Sequence, residues 1–186
     1  MTDNIIIVDD FIPLEEQEWL KGYLLSRMFP WFYVPNITNP SSSIEKPAFS
    51  HVFKEKGEEN SSFYSSIEHI GLTGAAKYDP SYNNVYHVRS FLQLPTKAND
   101  PNHLHVDIDL EHVVVLYYVT DSDGDTIIVD RKVTEYSRDP ELADCTILHK
   151  VTPKQGRAVI FNGEYYHASS TPKNAVRCIL NFDVIK

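Results

Sequence analysis

The feature that most constrains the fold is a series of short apolar runs, separated by turn residues, that extends from Asn84 to the end of the chain. The runs are rich in Val, Ile, Tyr and Phe, which favour β-strands. They read VYHVRSFL, HLHVDI, HVVVLYYV, DTIIVD, CTILHKV, RAVIF and VRCILNFDV. Short strands at this spacing are typical of a sandwich, a jelly roll or a small barrel, so we predict a β core over residues 84–186.

The sequence pattern of residues 1–80 predicts helices that flank this core. The segment IIIVDDF reads as a short strand, and Pro13 followed by acidic residues marks a helix start. Apolar residues at helical spacing follow it, namely Leu20, Leu24 and Met28. A second helix, with Gly71 as its stop, is predicted by another apolar stripe: Phe63, Ile67 and Ile70. Between the helices, PNITNPSSSIEKP predicts a surface loop, either a lid over a site or an idle connection.

The size and charge of the chain exclude several classes of function. With 186 residues, 42% of them hydrophobic, the chain can bury one sizeable core, so we predict one domain over residues 1–186. Its net charge of -9 offers no basic surface for a nucleic-acid backbone or for anionic lipid. The apolar run at residues 5–8 is too short for a signal peptide or a membrane span. Two cysteines, Cys145 and Cys178, cannot build a disulfide framework. We therefore expect a cytoplasmic protein with no membrane and no obligatory nucleic-acid partner.

Polar and apolar residues alternate in the segment HLHVDIDL. On a strand its polar side chains share one face: His103, His105, Asp107 and Asp109. A histidine and a carboxylate two residues apart, joined by a histidine from another strand, can occupy one face of an octahedral metal. The open positions suit Fe(II), which must bind a chelating cosubstrate and O2 together. Because H-x-D also arises by chance, the triplet needs further support.

That support lies in GRAVIFNGEYYHASSTPKNAVRCILNFD, where His167 follows a predicted strand and Arg177 lies ten residues further on. With these residues the chain resembles the 2-oxoglutarate/Fe(II) oxygenase superfamily, most closely its prolyl-4-hydroxylase-like branch. The signature of that branch is H-x-D, a distant His and an Arg about ten residues later. LYYVTDSDGDT, PKQGRAVIF and IIIVDDFIPLEEQ also resemble segments of the branch, so the resemblance covers most of the chain. It implies a double-stranded β-helix, or jelly roll, with N-terminal helices packed on one sheet.

The resemblance also implies a role for each matching residue. Three residues would bind Fe(II): His105, Asp107 and His167. Arg177 would bind the far carboxylate of 2-oxoglutarate, because a guanidinium fork binds carboxylate through two parallel hydrogen bonds. Tyr118 matches a hydroxyl that reaches the same carboxylate, and Asn181, on the face of Arg177, could add a hydrogen bond.

One position departs from the branch. The strand before H-x-D often carries a tyrosine that contacts the cosubstrate, and here Leu94 takes that place, next to Pro95. The pose of the cosubstrate is therefore open. Arg89, Phe91 and Gln93 share one strand face, which either lines the pocket or, as the composition of strand surfaces favours, faces solvent.

The remaining histidines are not predicted to bind the metal. His103 is on the correct face to be a rival ligand, as in cupins, but Glu111 is too distant to complete a cupin-like set, so we interpret His103 as a neighbour of the site. The others have no partner pattern and are interpreted as surface or core residues: His51, His69, His87, His112 and His149.

The reaction implied by the resemblance is hydroxylation of an unactivated C–H bond, with O2 and 2-oxoglutarate converted to CO2 and succinate. Ascorbate could be needed to keep the iron reduced. The implied substrate is a prolyl or other residue of a peptide or protein, and a small molecule stays open. Two other classes are compatible with the same ligands, a zinc-dependent hydrolase and a non-catalytic β-helix that binds or senses a metabolite.

Overall fold

The computed structural model describes residues 4–37, 46–97, 100–133 and 140–186. The predicted loop between the helices falls largely on residues 38–45, which lie outside the described residues. Within the described ranges the chain forms two α-helices, α1 (Leu14–Leu24) and α2 (Glu68–Tyr78). The strands are β1 (Ile6–Val8), β2 (Phe32–Val34), β3 (Ala48–Glu55), β4 (Glu58–Glu59), β5 (Asn84–Gln93), β6 (Val113–Tyr118), β7 (Thr126–Lys132), β8 (Ile147–Val151), β9 (Ala158–Asn162), β10 (Tyr165–Ser169) and β11 (Arg177–Ile185). The prediction of a mostly β protein with flanking helices is confirmed.

The strands form two antiparallel sheets. The larger sheet has the order β1-β9-β6-β11-β5-β3-β2, with β4 paired to β3, and the smaller sheet has the order β10-β7-β8. The segment before Val113 extends the smaller sheet, because His105 forms an antiparallel bridge with His167 of β10. A cavity lies between the sheets, lined by Phe91, Leu116 and Ile179 of the larger sheet and by Thr126 and His167 of the smaller one.

The two central strands of the larger sheet are buried on both faces. β6 is a run of β-branched and aromatic residues, VVVLYY, all of them buried, as expected for a strand covered on both sides. Along β11, Cys178, Leu180, Phe182 and Val184 belong to the apolar core beneath the helices. The alternate residues of β11 face the cavity side, so one strand serves both the core and the site.

Helix α2 lies against the outer face of the larger sheet, and two glycines allow this close approach. A Cβ atom added at Gly71 would lie 2.7 Å from Phe182 Cδ1, and one added at Gly74 would lie 2.5 Å from Val115 Cγ1. Helix α1 begins after Pro13, with Glu15 and Glu16 in its first turn, where acidic side chains favour the helix dipole.

Several boundaries differ from the sequence-based prediction. Gly71 lies inside α2 and does not end it, because its missing side chain serves packing against β11. Helix α1 ends at Leu24, so Met28, which was predicted as part of its apolar stripe, lies outside the helix and is 86% exposed. HLHVDI forms a single bridge at His105 and no regular strand. His167 lies within β10, a strand that was not predicted, and β2 to β4 add strands to a region predicted as helical.

Candidate metal centre

Two backbone hydrogen bonds bring the two candidate histidine ligands together. His105 N donates to His167 O and His167 N donates to His105 O, both at 3.0 Å, which places the two imidazole rings 4.7 Å apart. Asp107, two residues after His105, completes the group. One ligand atom from each of the three residues lies within 4.8 Å of the others.

The hydrogen bonds of both Nδ1 atoms direct the two Nε2 atoms toward Asp107: His105 Nε2 lies 3.8 Å from Oδ1, and His167 Nε2 lies 3.2 Å from Oδ2. His105 Nδ1 lies 3.1 Å from His103 O, and His167 Nδ1 lies 3.1 Å from Tyr165 O. Because a carbonyl oxygen only accepts, each Nδ1 carries the hydrogen and each Nε2 presents a lone pair in the neutral ring. Burial, followed by the neighbouring His167, lowers the pKa of His105 to about 4, which keeps His105 neutral at physiological pH.

The carboxylate of Asp107 is held through both of its oxygens. Arg89 Nη2 donates to Oδ1 at 3.3 Å, and Asn181 Nδ2 donates to Oδ2 at 3.1 Å. Burial alone would raise the pKa of Asp107, but the hydrogen bond and charge of His167, with the charge of Arg89, bring this pKa well below its usual value. Two imidazoles and one carboxylate are a suitable donor set for a divalent transition metal such as Fe(II).

The three residues open onto a cavity of about 240 Å³ between the sheets. Its apolar wall is formed by Ile37, Phe91, Val106, Leu116, Ala168 and Ile179. Its other polar residues are Arg89, Thr126, Ser169, Arg177 and Asn181. The cavity therefore combines a metal-ligand set with a buried cation, Arg177, which is 3% exposed.

The guanidinium group of Arg177 is fixed by three acceptors. Nε donates to Gly124 O at 2.9 Å, Nη1 donates to Gln93 Oε1 at 3.1 Å, and Nη2 donates to Thr126 Oγ1 at 2.9 Å. Burial lowers the pKa of Arg177, although the group stays charged because arginine is not deprotonated in proteins. A fixed buried guanidinium at a cavity wall is a preformed binding group for a carboxylate.

Thr126 is a second candidate binding group, and its hydrogen-bond partners fix the direction of its hydroxyl. Its Oγ1 accepts from the Tyr118 hydroxyl at 2.6 Å and from Arg177 at 2.9 Å, which uses both lone pairs. The hydrogen of Thr126 must then point to another acceptor, and Thr126 lines the cavity. It can donate to a carboxylate bound beside Arg177.

The structure places the other predicted site residues as follows. Tyr118 is fully buried next to Thr126 and is not part of the cavity wall, whereas Asn181 lies at the wall with its amide donating to Asp107. Leu94 is 49% exposed. The solvent-facing interpretation of the β5 face was wrong, because Arg89 and Phe91 line the cavity and Gln93 is 3% exposed.

The sequence analysis missed a second polar cluster beside the metal ligands. Asp183 of β11 is fully buried, and His112 approaches it to 4.0 Å and His87 to 3.7 Å. Burial, followed by the neighbouring Asp107, raises the pKa of Asp183 well above its usual value, and burial lowers the pKa of both histidines. The signal was a lone aspartate in the apolar strand VRCILNFDV.

No family model matches the sequence, and no curated protein matches it. Several solved structures are similar to the structure of this chain. An oxidoreductase of the 2OG-Fe(II) oxygenase family from Burkholderia pseudomallei is 11% identical, with a TM-score of 0.68 over 97% of this chain and 84% of that one. A prolyl-4-hydroxylase from Pseudomonas putida is 16% identical, with a TM-score of 0.63 over 100% of this chain and 94% of that one. The epimerase SnoN, solved with Fe3+ and alpha ketoglutarate, is 12% identical, with a TM-score of 0.67 over 99% and 79%.

These similarities establish the fold. The chain has the fold of the 2-oxoglutarate/Fe(II) oxygenases, a group that includes prolyl hydroxylases. Among the described residues, neither α-helix is long and apolar enough to cross a membrane.

Proposed function

We propose that this protein is an Fe(II)- and 2-oxoglutarate-dependent dioxygenase that hydroxylates an unactivated C–H bond. One observation carries the proposal. Two imidazoles, a carboxylate and a fixed buried guanidinium open onto one cavity between two antiparallel sheets. We further propose that the two sheets form a double-stranded β-helix, as the sequence resemblance implies.

In this proposal three residues would hold the iron: His105 and His167 through Nε2, and Asp107 through a carboxylate oxygen. Bound Fe(II), with open positions beside these ligands, would supply the activation of O2. The protein residues supply orientation: the carbonyls of His103 and Tyr165 fix the imidazole rings, and Arg89 and Asn181 fix the carboxylate.

Arg177 and Thr126 would bind the far carboxylate of 2-oxoglutarate. The charge and fork of Arg177 suit a carboxylate. Arg177 and Tyr118 both donate to Thr126 Oγ1, so the hydroxyl hydrogen of Thr126 is left for an acceptor on the bound cosubstrate. Tyr118 acts through Thr126 in this scheme. The apolar wall of Phe91, Leu116 and Ile179 would exclude water from the carbon chain of the cosubstrate.

The substrate we propose is a prolyl or other residue of a peptide or protein, because the sequence motifs match the prolyl-4-hydroxylase-like branch. The fold also occurs in the epimerase SnoN, so the fold alone does not select this reaction. A small-molecule substrate is therefore the alternative for the substrate screen.

The test measures succinate formation from 2-oxoglutarate under Fe(II) and ascorbate, together with Mn(II) binding and 2-oxoglutarate binding. We expect His105→Ala to lose metal binding and turnover. Arg177→Ala should bind Mn(II) as the wild type does but bind 2-oxoglutarate much more weakly. Ser90→Ala is the matched control, because Ser90 is a buried residue of β5 that donates to Ile179 O and is not part of the cavity wall.

Other outcomes discriminate among the alternatives. Binding of 2-oxoglutarate without turnover, even with candidate peptides, would favour a sensor. Zinc binding with no 2-oxoglutarate affinity would favour a hydrolase and would contradict the proposal.

A further inference from the structure

Beside the candidate metal ligands lies a buried polar cluster to which the proposed reaction assigns no role. Its centre is Asp183, whose side chain is fully buried and whose two oxygens have no hydrogen-bond partner in the described part of the chain. Three basic groups surround it: Arg89 Nη2 at 3.6 Å, His87 Nδ1 at 3.7 Å and His112 Nε2 at 4.0 Å. A buried carboxyl group costs folding free energy, so its presence in an apolar strand requires a reason.

Arg89 connects this cluster to the metal ligands. Its Nη2 lies 3.3 Å from Asp107 Oδ1 and 3.6 Å from Asp183 Oδ2, so one nitrogen faces two carboxyl groups. The Nε atom of Arg89 is buried and has no hydrogen-bond partner among the described residues. A long side chain held by few hydrogen bonds keeps its rotamer only if its surroundings favour it. Asp183 Oδ2, 3.6 Å from Arg89 Nη2, is such a neighbour on strand β11.

The strand register places these residues side by side. Arg89 of β5 lies opposite Asn181 of β11, and Asp183 lies opposite His87, so the four residues occupy adjacent pairs on one face of the sheet. Arg89 donates to one oxygen of Asp107 and Asn181 to the other. A carboxylate with a donor on each oxygen has a fixed plane, and its remaining lone pairs then point in fixed directions.

We propose that Asp183 is a positioning residue that holds Arg89 in place, and that Arg89 in turn orients the carboxylate of Asp107 for metal binding. The inference rests on the proposed function, because it takes Asp107 as a metal ligand. Hydrogen-bonded partners of metal ligands typically change metal affinity by about 10- to 100-fold when they are removed.

The experiment measures Mn(II) affinity, the visible absorption of the Co(II)-loaded protein, and the melting temperature. The variants are Asp183→Ala, Arg89→Met and the double variant, with Asp183→Asn as the conservative replacement that retains an acceptor oxygen. Val184→Ala is the matched control, because Val184 is the buried neighbour on β11 that faces the opposite core. It should lower the melting temperature without changing metal binding.

We expect each of Asp183→Ala and Arg89→Met to weaken Mn(II) binding about tenfold or more and to change the Co(II) spectrum, since Asp107 then loses the donor on Oδ1 and keeps the Asn181 donor on Oδ2. The double variant should bind Mn(II) about as tightly as whichever single variant has the lower affinity. Both substitutions break the same series of contacts, from Asp183 through Arg89 to Asp107, so their effects do not add. Asp183→Asn should recover part of the affinity.

Unchanged Mn(II) affinity in both single variants, an unchanged Co(II) spectrum, or losses that add in the double variant would each overturn the inference and leave the proposed function intact. If the wild type binds no divalent metal, the proposed function itself fails. Should Asp183→Ala not fold, Arg89→Met and Asp183→Asn are compared with the wild type by the same criteria.

Discussion

Replacing Thr126 with valine should destabilise the protein, and adding Tyr118→Phe should restore part of the loss. Thr126 Oγ1 accepts hydrogen bonds from Tyr118 and Arg177, at 2.6 and 2.9 Å, and valine keeps the shape of threonine without the acceptor. The three side chains are 2%, 0% and 3% exposed, so bulk water cannot replace the lost partner. Both donors would then be buried and unpaired.

The magnitude follows from the number of unpaired donors. One buried unsatisfied donor costs about 1–3 kcal/mol, and a charged donor costs more, so Thr126→Val should lower the free energy of unfolding by about 3–4 kcal/mol. Tyr118→Phe alone removes one hydrogen bond and should cost about 1 kcal/mol. In the double variant no tyrosine hydroxyl remains unpaired, so it should be more stable than Thr126→Val by about 1 kcal/mol.

Urea unfolding of the metal-free wild type, both single variants and the double variant measures these differences. Thr126→Ser is the control, because it keeps the acceptor and should lose only about 1 kcal/mol for the buried methyl group. A double variant that is less stable than Thr126→Val by the full cost of Tyr118→Phe would refute the reasoning, since the two residues would then act independently.

Three further predictions concern pH, packing and metal binding. Because the pKa of His105 is lowered to about 4, the unfolded chain binds one more proton than the folded protein between about pH 6.5 and 4. The free energy of unfolding should therefore fall as the pH is lowered through this range. His105→Gln should reduce the slope of this free energy against pH by up to about 1.4 kcal/mol per pH unit. Equal slopes for the wild type and the variant, measured by urea unfolding at several pH values, would contradict the lowered pKa of His105. Gly71→Ala should lower the free energy of unfolding by about 1–3 kcal/mol, since its Cβ would lie 2.7 Å from Phe182, whereas Gly22→Ala, with nothing within 4 Å, should raise it by about 0.5–1 kcal/mol. Saturating Mn(II) should raise the melting temperature of the wild type but not that of His167→Ala, and an equal rise in both would place the bound metal elsewhere.

The sequence predicted which residues meet at the candidate metal centre better than it predicted the structure that carries them. H-x-D followed by a distant histidine depends on residue identity and spacing, and the structure brings His105, Asp107 and His167 together. The strand predicted for HLHVDI is wrong, because one bridge to His167 suffices to align the two histidines. A pattern of alternating polarity cannot distinguish a regular strand from an extended segment with a single bridge.

The residues that support the ligands could not be identified from sequence. Thr126 became a candidate only when the partners of its hydroxyl were known. Arg89 was open between a pocket wall and a solvent-facing position, and its distance to Asp107 identified it as a partner of that carboxylate. The surface interpretation of the β5 face failed because polar residues usually face solvent, whereas here they face a cavity between two sheets. Gly71 was predicted as a helix stop from its local preference, but its contact with Phe182 of β11 is distant in sequence.

The alternation along β11 separates two kinds of constraint within nine residues. Residues 178, 180, 182 and 184 fill the core beneath the helices, whereas Arg177, Asn181 and Asp183 lie on the cavity side. In a saturation-mutagenesis screen of this strand, abundance should drop at the core positions. Loss of activity at normal abundance should concentrate at the cavity positions. The two profiles would then alternate with a period of two, so that substitutions at neighbouring positions of one strand would affect either the abundance of the protein or its activity.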